Sequence, residues 1–120
     1  MFGFAKKQAP PSQGKQAEDF AKKYLKDRGL RCIAENYHCK FGEIDLIVED
    51  GETLVFVEVR LRSSSQFGSA LASVTAAKQK KLVLTAQHYI TQENIGESRP
   101  MRFDVIGITE GNVDWIQNAF

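Results

Sequence analysis

Three charged residues, Asp45, Glu58 and Arg60, stand out in the stretch GEIDLIVEDGETLVFVEVRLR, Gly42 to Arg62. Most of that stretch reads as two strands that should be buried. Side chains on a strand alternate between faces. Ile44, Leu46 and Val48 therefore share one face, with Asp45 and Ile47 on the other; Glu58, Arg60 and Arg62 line up with Phe56. The Asp50-Gly51 pair signals a hairpin turn between the strands. A turn of those two residues makes Glu58 the diagonal neighbour of Asp45, and a four-residue loop from Asp50 to Thr53 sets the two directly opposite. Either register puts both carboxylates on one face, with Cβ atoms roughly 5–8 Å apart.

Two carboxylates so placed repel by on the order of 3 kcal/mol at about 5 Å and an effective dielectric of about 20. Desolvation on an apolar sheet adds to that. A divalent cation, Mg²⁺ or Mn²⁺, would offset both effects. Mg²⁺ favours one or two carboxylates, several waters and a substrate phosphate, and a metal so held can activate a water and stabilise charge on a phosphate under attack. Arg60 could then hold a phosphate oxygen. Its pKa, above about 12, makes it a poor general base. The same charges would also make a plain cross-strand salt bridge, with Arg60 or Arg62 neutralising Glu58 or Asp45 and no metal.

The elements that must position these residues follow from periodicity and turn signals. Ser12 to Arg28 predicts a helix, with Ala17, Phe20, Ala21, Tyr24 and Leu25 on one stripe. Gly29 should stop it, and Leu30 should pack back on it. Strands are expected at 31–37, 41–49, 53–61, 101–109 and 113–116, and a second helix from near Thr75 to about Thr91. Ser63, Ser64, Ser65 and Gly68 mark a loop, and Glu110-Gly111 a turn. The order α-β-β-β-α-β-β predicts an α/β fold, a mixed five-stranded sheet flanked by helices.

The 120 residues, 42% hydrophobic, suit one domain over 12–120, with 1–11 as a flexible tail. No run reaches the roughly 18–20 apolar residues of a membrane span. The start, MFGFAKKQAPPSQGK, lacks the order of a signal peptide, so a cytoplasmic protein is expected. Cys32 and Cys39, seven apart, would face opposite sides of one strand, and they lack the spacing of a zinc site. The net charge of +1 hides a segregation. Val59 to Gln92 contains no Asp or Glu but carries Arg60, Arg62, Lys78, Lys80 and Lys81. Glu43, Asp45, Glu49, Asp50, Glu52 and Glu58 precede it. An acidic cluster beside a basic segment suits a polyanion bound next to a metal; ordinary solvated lysines would give the same pattern.

An Asp followed some dozen residues later by Glu-x-Lys on adjacent strands is the signature of the PD-(D/E)XK nucleases, and here it reads Asp45, then Glu58-Val59-Arg60. GKQAE at 14–18, GEIDLI at 42–47, FVEVRLR at 56–62, the lysine-bearing second helix and RFDVIGI at 102–108 extend the match. Together they resemble the YraN family, uncharacterised bacterial proteins predicted to be endonuclease-like and related to archaeal Holliday junction resolvases. The resemblance runs from Gly14 nearly to the C-terminus. It implies a restriction-endonuclease-like core and metal-binding carboxylates at Asp45 and Glu58. It adds Glu18 as the acidic residue that completes the site. It also implies action on DNA, with branched DNA the related substrate, and a homodimer. Arg60 stands where the motif usually has Lys. Unlike Lys, it cannot give up its proton when buried, which keeps phosphate binding and removes a proton-transfer role.

From the residues alone Glu18 borders the apolar stripe and could be a solvated glutamate. Lys78, Gln79 and Lys81, with Arg60 and Arg62, are candidate phosphate contacts. Glu43 could support Asp45, and Asp104 should make a structural hydrogen bond. Trp115 reads as core, His88 as helix surface and His38 as a strand end. Phe67 could touch nucleic acid. Two functions stay open: a Mg²⁺-dependent DNA endonuclease, or a nucleic-acid-binding module with the same fold and no cleavage. A protein-interaction scaffold is a third, which leaves the acid-free basic segment unexplained.

Overall fold

The computed structural model describes residues 12–62, 69–110 and 112–120. The expected tail, the serine loop with Phe67, and Gly111 lie outside them. The elements are α1 (Gln13–Asp27), β1 (Arg31–Cys39), β2 (Gly42–Asp50), β3 (Thr53–Leu61), α2 (Ser69–Ala72), α3 (Ala76–Gln92), β4 (Met101–Thr109) and β5 (Asn112–Ile116). Apart from the one-turn α2, this is the predicted order.

Local chemistry sets the boundaries. Ser12 caps α1, its hydroxyl accepting from the Lys15 N–H, and Thr75 caps α3 through Lys78 in the same way. Gly29, at φ +92°, closes α1. The Leu30 N–H reaches back to the Leu25 carbonyl and the Gly29 N–H to that of Lys26, the double bond of a Schellman cap. Leu30 and Leu25 then pack in one core cluster.

The strands lie in the order β1-β2-β3-β4-β5, antiparallel except for the β3–β4 pair. The α2–α3 crossover makes that parallel pairing possible. Alternation buries both faces. Leu46, Val48, Val55, Val57 and Ile106 pack under α1, and Ile47, Leu54, Phe56 and Val105 pack under α3. Ile44 departs from strict alternation. It packs with Ile47 on the α3 side rather than with Leu46 and Val48, so the regular pleat is lost at Asp45, between them.

Asp104 is buried at the other side of the sheet. It accepts from Arg102 Nε at 2.9 Å, Trp115 Nε1 at 2.9 Å and the Asn118 N–H at 2.9 Å, tying the C-terminal segment to β4. This is the structural role expected of it, and half-buried Trp115 joins the α1-side core.

Candidate active site at a fork in the sheet

The β2–β3 turn is Gly51-Glu52, with Asp50 paired to Thr53. Gly51, at φ +61°, stands first in the turn, where a type II′ hairpin requires glycine. The expected Asp50-Gly51 turn is thus displaced by one residue. The resulting register is the one in which Asp45 and Glu58 stand opposite each other.

The ladder ends just short of that pair. Its last rung is Leu46 to Val57. Beyond it β2 stays on β1 as far as Gly42, and β3 stays on β4 as far as Leu61. The two central strands part, and the gap between them opens at Asp45 and Glu58. Asp45 Oδ2 accepts the Val59 N–H at 2.8 Å, standing in for the backbone carbonyl that a continuing ladder would supply.

Asn36 would face Asp45 across the β1–β2 ladder, but that rung is missing and Asn36 takes φ +50°. Asparagine tolerates this left-handed conformation better than most residues. Its side-chain amide donates to Glu18 Oε1 at 2.8 Å and Glu43 Oε2 at 3.3 Å. Glu18 is therefore held at the rim of the fork by Asn36, and Glu43 supports the same amide. Among the described residues no three Asp, Glu, His or Cys side chains gather tightly enough to hold a metal by themselves.

Glu58 and Arg60 project from β3 toward the α2–α3 layer. Arg60 Nη1 meets Glu58 Oε2 at 3.1 Å, the ion pair weighed from the sequence. Arg60 Nε donates to Ser73 Oγ at 2.9 Å and Nη2 to the Ser73 carbonyl at 3.3 Å. A guanidinium has five N–H donors, so two remain for a ligand. Ser73 is itself fixed by donating to the Ala70 carbonyl at 2.6 Å. Ala70 in turn sits on Gly107, where a Cβ would come within 2.4 Å of its own Cβ.

The two carboxyls cannot both ionise cheaply. Burial, then the Glu58 charge, pushes the Asp45 pKa up to about 8; Glu18 adds to the rise and the Val59 N–H opposes it. Burial raises the Glu58 pKa too, against the hydrogen bond from Asp45 and the charges of Arg60 and Lys78. The two carboxyls hydrogen-bond to each other and both favour the protonated form, so one proton can serve the pair. A desolvated acidic pair with one shared proton and Glu18 at its edge fits a dication that takes one or two carboxylates and otherwise waters and phosphate.

The remaining sequence candidates divide. Lys78 is exposed and close enough to act on Glu58. Lys81 is exposed on α3 over Gly42, where an added Cβ would lie 3.7 Å from Lys81 Cβ. Arg62 is half-buried at the end of β3, and its Nε has no partner among the described residues. Gln79 turns its amide to the Val74 carbonyl at 3.1 Å. His88 is not a plain surface residue: its Nδ1 is 2.6 Å from the Tyr37 hydroxyl. Asn36 and Ser73 escaped the sequence reading. An Asn inside a predicted strand was a faint signal for the first, and nothing marked the second, which reaches Arg60 only through the crossover.

The profile of the uncharacterised protein family UPF0102 matches residues 17–108, which include Glu18, Asp45, Glu58, Arg60 and α3. The chain belongs to the UPF0102 family. It is 50% identical over 112 residues to a UPF0102 protein of Nitrosococcus oceani, covering 90% of each chain. Against a UPF0102 protein of Saccharophagus degradans it is 53% identical over 107 residues, covering 89% of this chain and 91% of the relative. A UPF0102 protein of Aeromonas hydrophila is 54% identical over 111 residues, covering 92% and 85%. This is the YraN family of the sequence resemblance, and membership is consistent with the nuclease superfamily. No helix among the described residues is long and apolar enough to cross a membrane.

Proposed function

We propose that this UPF0102 protein is a divalent-metal-dependent endonuclease that hydrolyses DNA phosphodiesters. The observation that carries this reading is the fork: a half-buried Asp45–Glu58 pair, opened by the parting of β2 and β3, with Arg60 the cation held on it among the described residues. Asp45 and Glu58 would hold Mg²⁺, with Glu18 at the rim. When bound there, Mg²⁺ supplies an activated water and offsets charge on the phosphate.

The chain's own residues do the rest. Ser73 and Glu58 hold the Arg60 guanidinium in one orientation, so its two remaining N–H groups can meet a phosphate oxygen without first being ordered. Lys78 and Lys81 give the DNA backbone cations along one flank of the fork. Branched DNA heads the substrates to test because the sequence resembles junction resolvases.

One observation favours the alternative, a binding module without cleavage. Arg60, at the motif's lysine position, is clamped and cannot move a proton. The deciding experiment incubates the protein with Mg²⁺ or Mn²⁺ and single-stranded, duplex, flapped and four-way-junction DNAs, alongside Asp45→Ala and Glu58→Ala. Metal-dependent cutting lost in both variants is the expected result. DNA binding without cutting, or cutting that both variants retain as a contaminant would, overturns the enzymatic reading.

A further inference from the structure

The β1–β2 turn, Lys40-Phe41, carries an aromatic ring that packing does not explain. Phe41 is 36% exposed, although it stands only four residues before Asp45. Its ring is nonetheless held in place. It meets the His88 ring edge to face at 6.3 Å between centroids, and His88 is fixed by the Tyr37 hydroxyl at 2.6 Å. Lys40 Nζ lies over the Phe41 ring, 5.3 Å from its centroid.

The surroundings are cationic. Lys78, Lys81 and His88 follow one another along α3 at spacings of three and seven, which keeps them on one side of the helix. That side runs from Glu58, on which Lys78 acts, past Gly42, over which Lys81 lies, to Phe41, against which His88 packs. Lys40, Lys78 and Lys81 make no ion pair with any described residue, and Glu43, the carboxylate nearest along the strand, is turned to Asn36. A lysine track therefore joins the fork to an exposed, braced aromatic ring.

The geometry points to Phe41 as a stacking platform for an unpaired base of the DNA whose backbone lies on Lys78 and Lys81, the base displacing the Lys40 ammonium from the ring to a neighbouring phosphate. This deepens the proposed function and rests on it, since it names DNA with single-stranded character as the substrate class. Phe41 is about 13 Å from Asp45 along β2, at about 3.3 Å per residue. That is about four steps of a stacked strand at 3.4 Å each. A base inside a duplex keeps its face covered by its neighbours, so only an unpaired or splayed base can use the ring. Braced aromatics beside a cationic groove are the means by which proteins hold single strands without reading sequence.

The test measures binding of fluorescent oligothymidylate, an abasic oligomer of equal length and a blunt duplex, in EDTA so that nothing is cut. Wild type is compared with Phe41→Ala and Phe41→Trp, and thermal melting checks that both variants are folded. Loss of one base–aromatic stack weakens binding by roughly fivefold to a hundredfold. The expected result is that loss for Phe41→Ala on oligothymidylate, little change on the abasic oligomer or the duplex, and restored affinity in Phe41→Trp. Equal losses on all three DNAs, or none, overturn the platform while leaving the DNA reading intact. Wild type that binds none of the DNAs overturns the DNA reading and the platform with it.

Discussion

The Asp45 carboxylate accepts the backbone N–H of Val59 at 2.8 Å, so one oxygen of a candidate metal ligand also terminates the β2–β3 ladder. The residue therefore serves the fold and the site through different atoms, and substitutions can separate the two. Asp45→Asn keeps an oxygen for Val59 and offers an amide donor to Glu58. Asp45→Ala keeps neither and leaves the Val59 N–H unpaired in a partly buried place, at a cost of about 1–3 kcal/mol. In urea denaturation the Asn variant is expected to match or exceed wild type at neutral pH, and the Ala variant to fall below it by that amount. Both should lose the proposed cleavage. Equal stability of the two would mean that the ladder end does not depend on this carboxylate.

The shared proton makes stability depend on pH with a definite sign. The Asp45 pKa is about 8 in the folded chain against an ordinary 3.8. Between those values the folded state binds more protons than the unfolded one, so stability falls as pH rises. The contribution is complete below about pH 4 and is lost as pH passes through 8. Glu49 and Glu35 shift the other way, held down by Arg99 and Lys22, and their effect is finished in the acid range. Urea midpoints at pH 5, 7 and 9 should therefore decline in wild type relative to Asp45→Asn. Mg²⁺ should raise the wild-type midpoint most at pH 9, where it has no proton to displace. A flat difference between wild type and Asp45→Asn would remove the shared proton from the account.

Gly107 is fixed by contact rather than by backbone conformation. An added methyl would lie 2.4 Å from Ala70 Cβ, closer than packed carbons tolerate. Gly107→Ala is expected to cost about 1–3 kcal/mol. Ala70→Gly should return part of it by removing the opposing methyl, less about 1 kcal/mol for glycine in a helix. A double-mutant cycle in urea measures that coupling, and additive losses would count against the close approach of α2 to β4.

What the sequence made legible was whatever alternation, caps and turns encode locally. Ser12, Gly29 and Thr75 marked helix ends, and parity alone put Glu58, Arg60 and Arg62 on one face of β3. The fork was not legible, because it arises where two strands choose different neighbours, Gly42 to Ile44 staying with β1 and Glu58 to Leu61 with β4. No residue between Asp45 and Glu58 announces that choice. The family resemblance supplied Glu18, which periodicity could only place at the border of a stripe, and Asn36 now explains how it is held there. The same limit hid Ser73, whose partner Arg60 lies thirteen residues earlier across a long connection.

That serine gives the clearest separation of positioning from binding. Arg60 loses its Nε acceptor in Ser73→Ala and keeps Glu58 and the Ser73 carbonyl. The charge stays in the site while its orientation loosens. Net stability should fall by only about 1 kcal/mol, the ordinary worth of one hydrogen bond. Misplacement of a group by about 1 Å can cost on the order of a hundredfold in rate, so kcat for the proposed DNA cleavage should drop between tenfold and that limit with KM little changed. Ser73→Thr keeps the hydroxyl and should recover most of the rate, whereas Arg60→Ala should impair both parameters because it removes the proposed phosphate contact as well. Steady-state cleavage under saturating Mg²⁺ distinguishes the cases. A Ser73→Ala variant with unchanged kcat would mean that Glu58 and the Ser73 carbonyl suffice to aim the guanidinium.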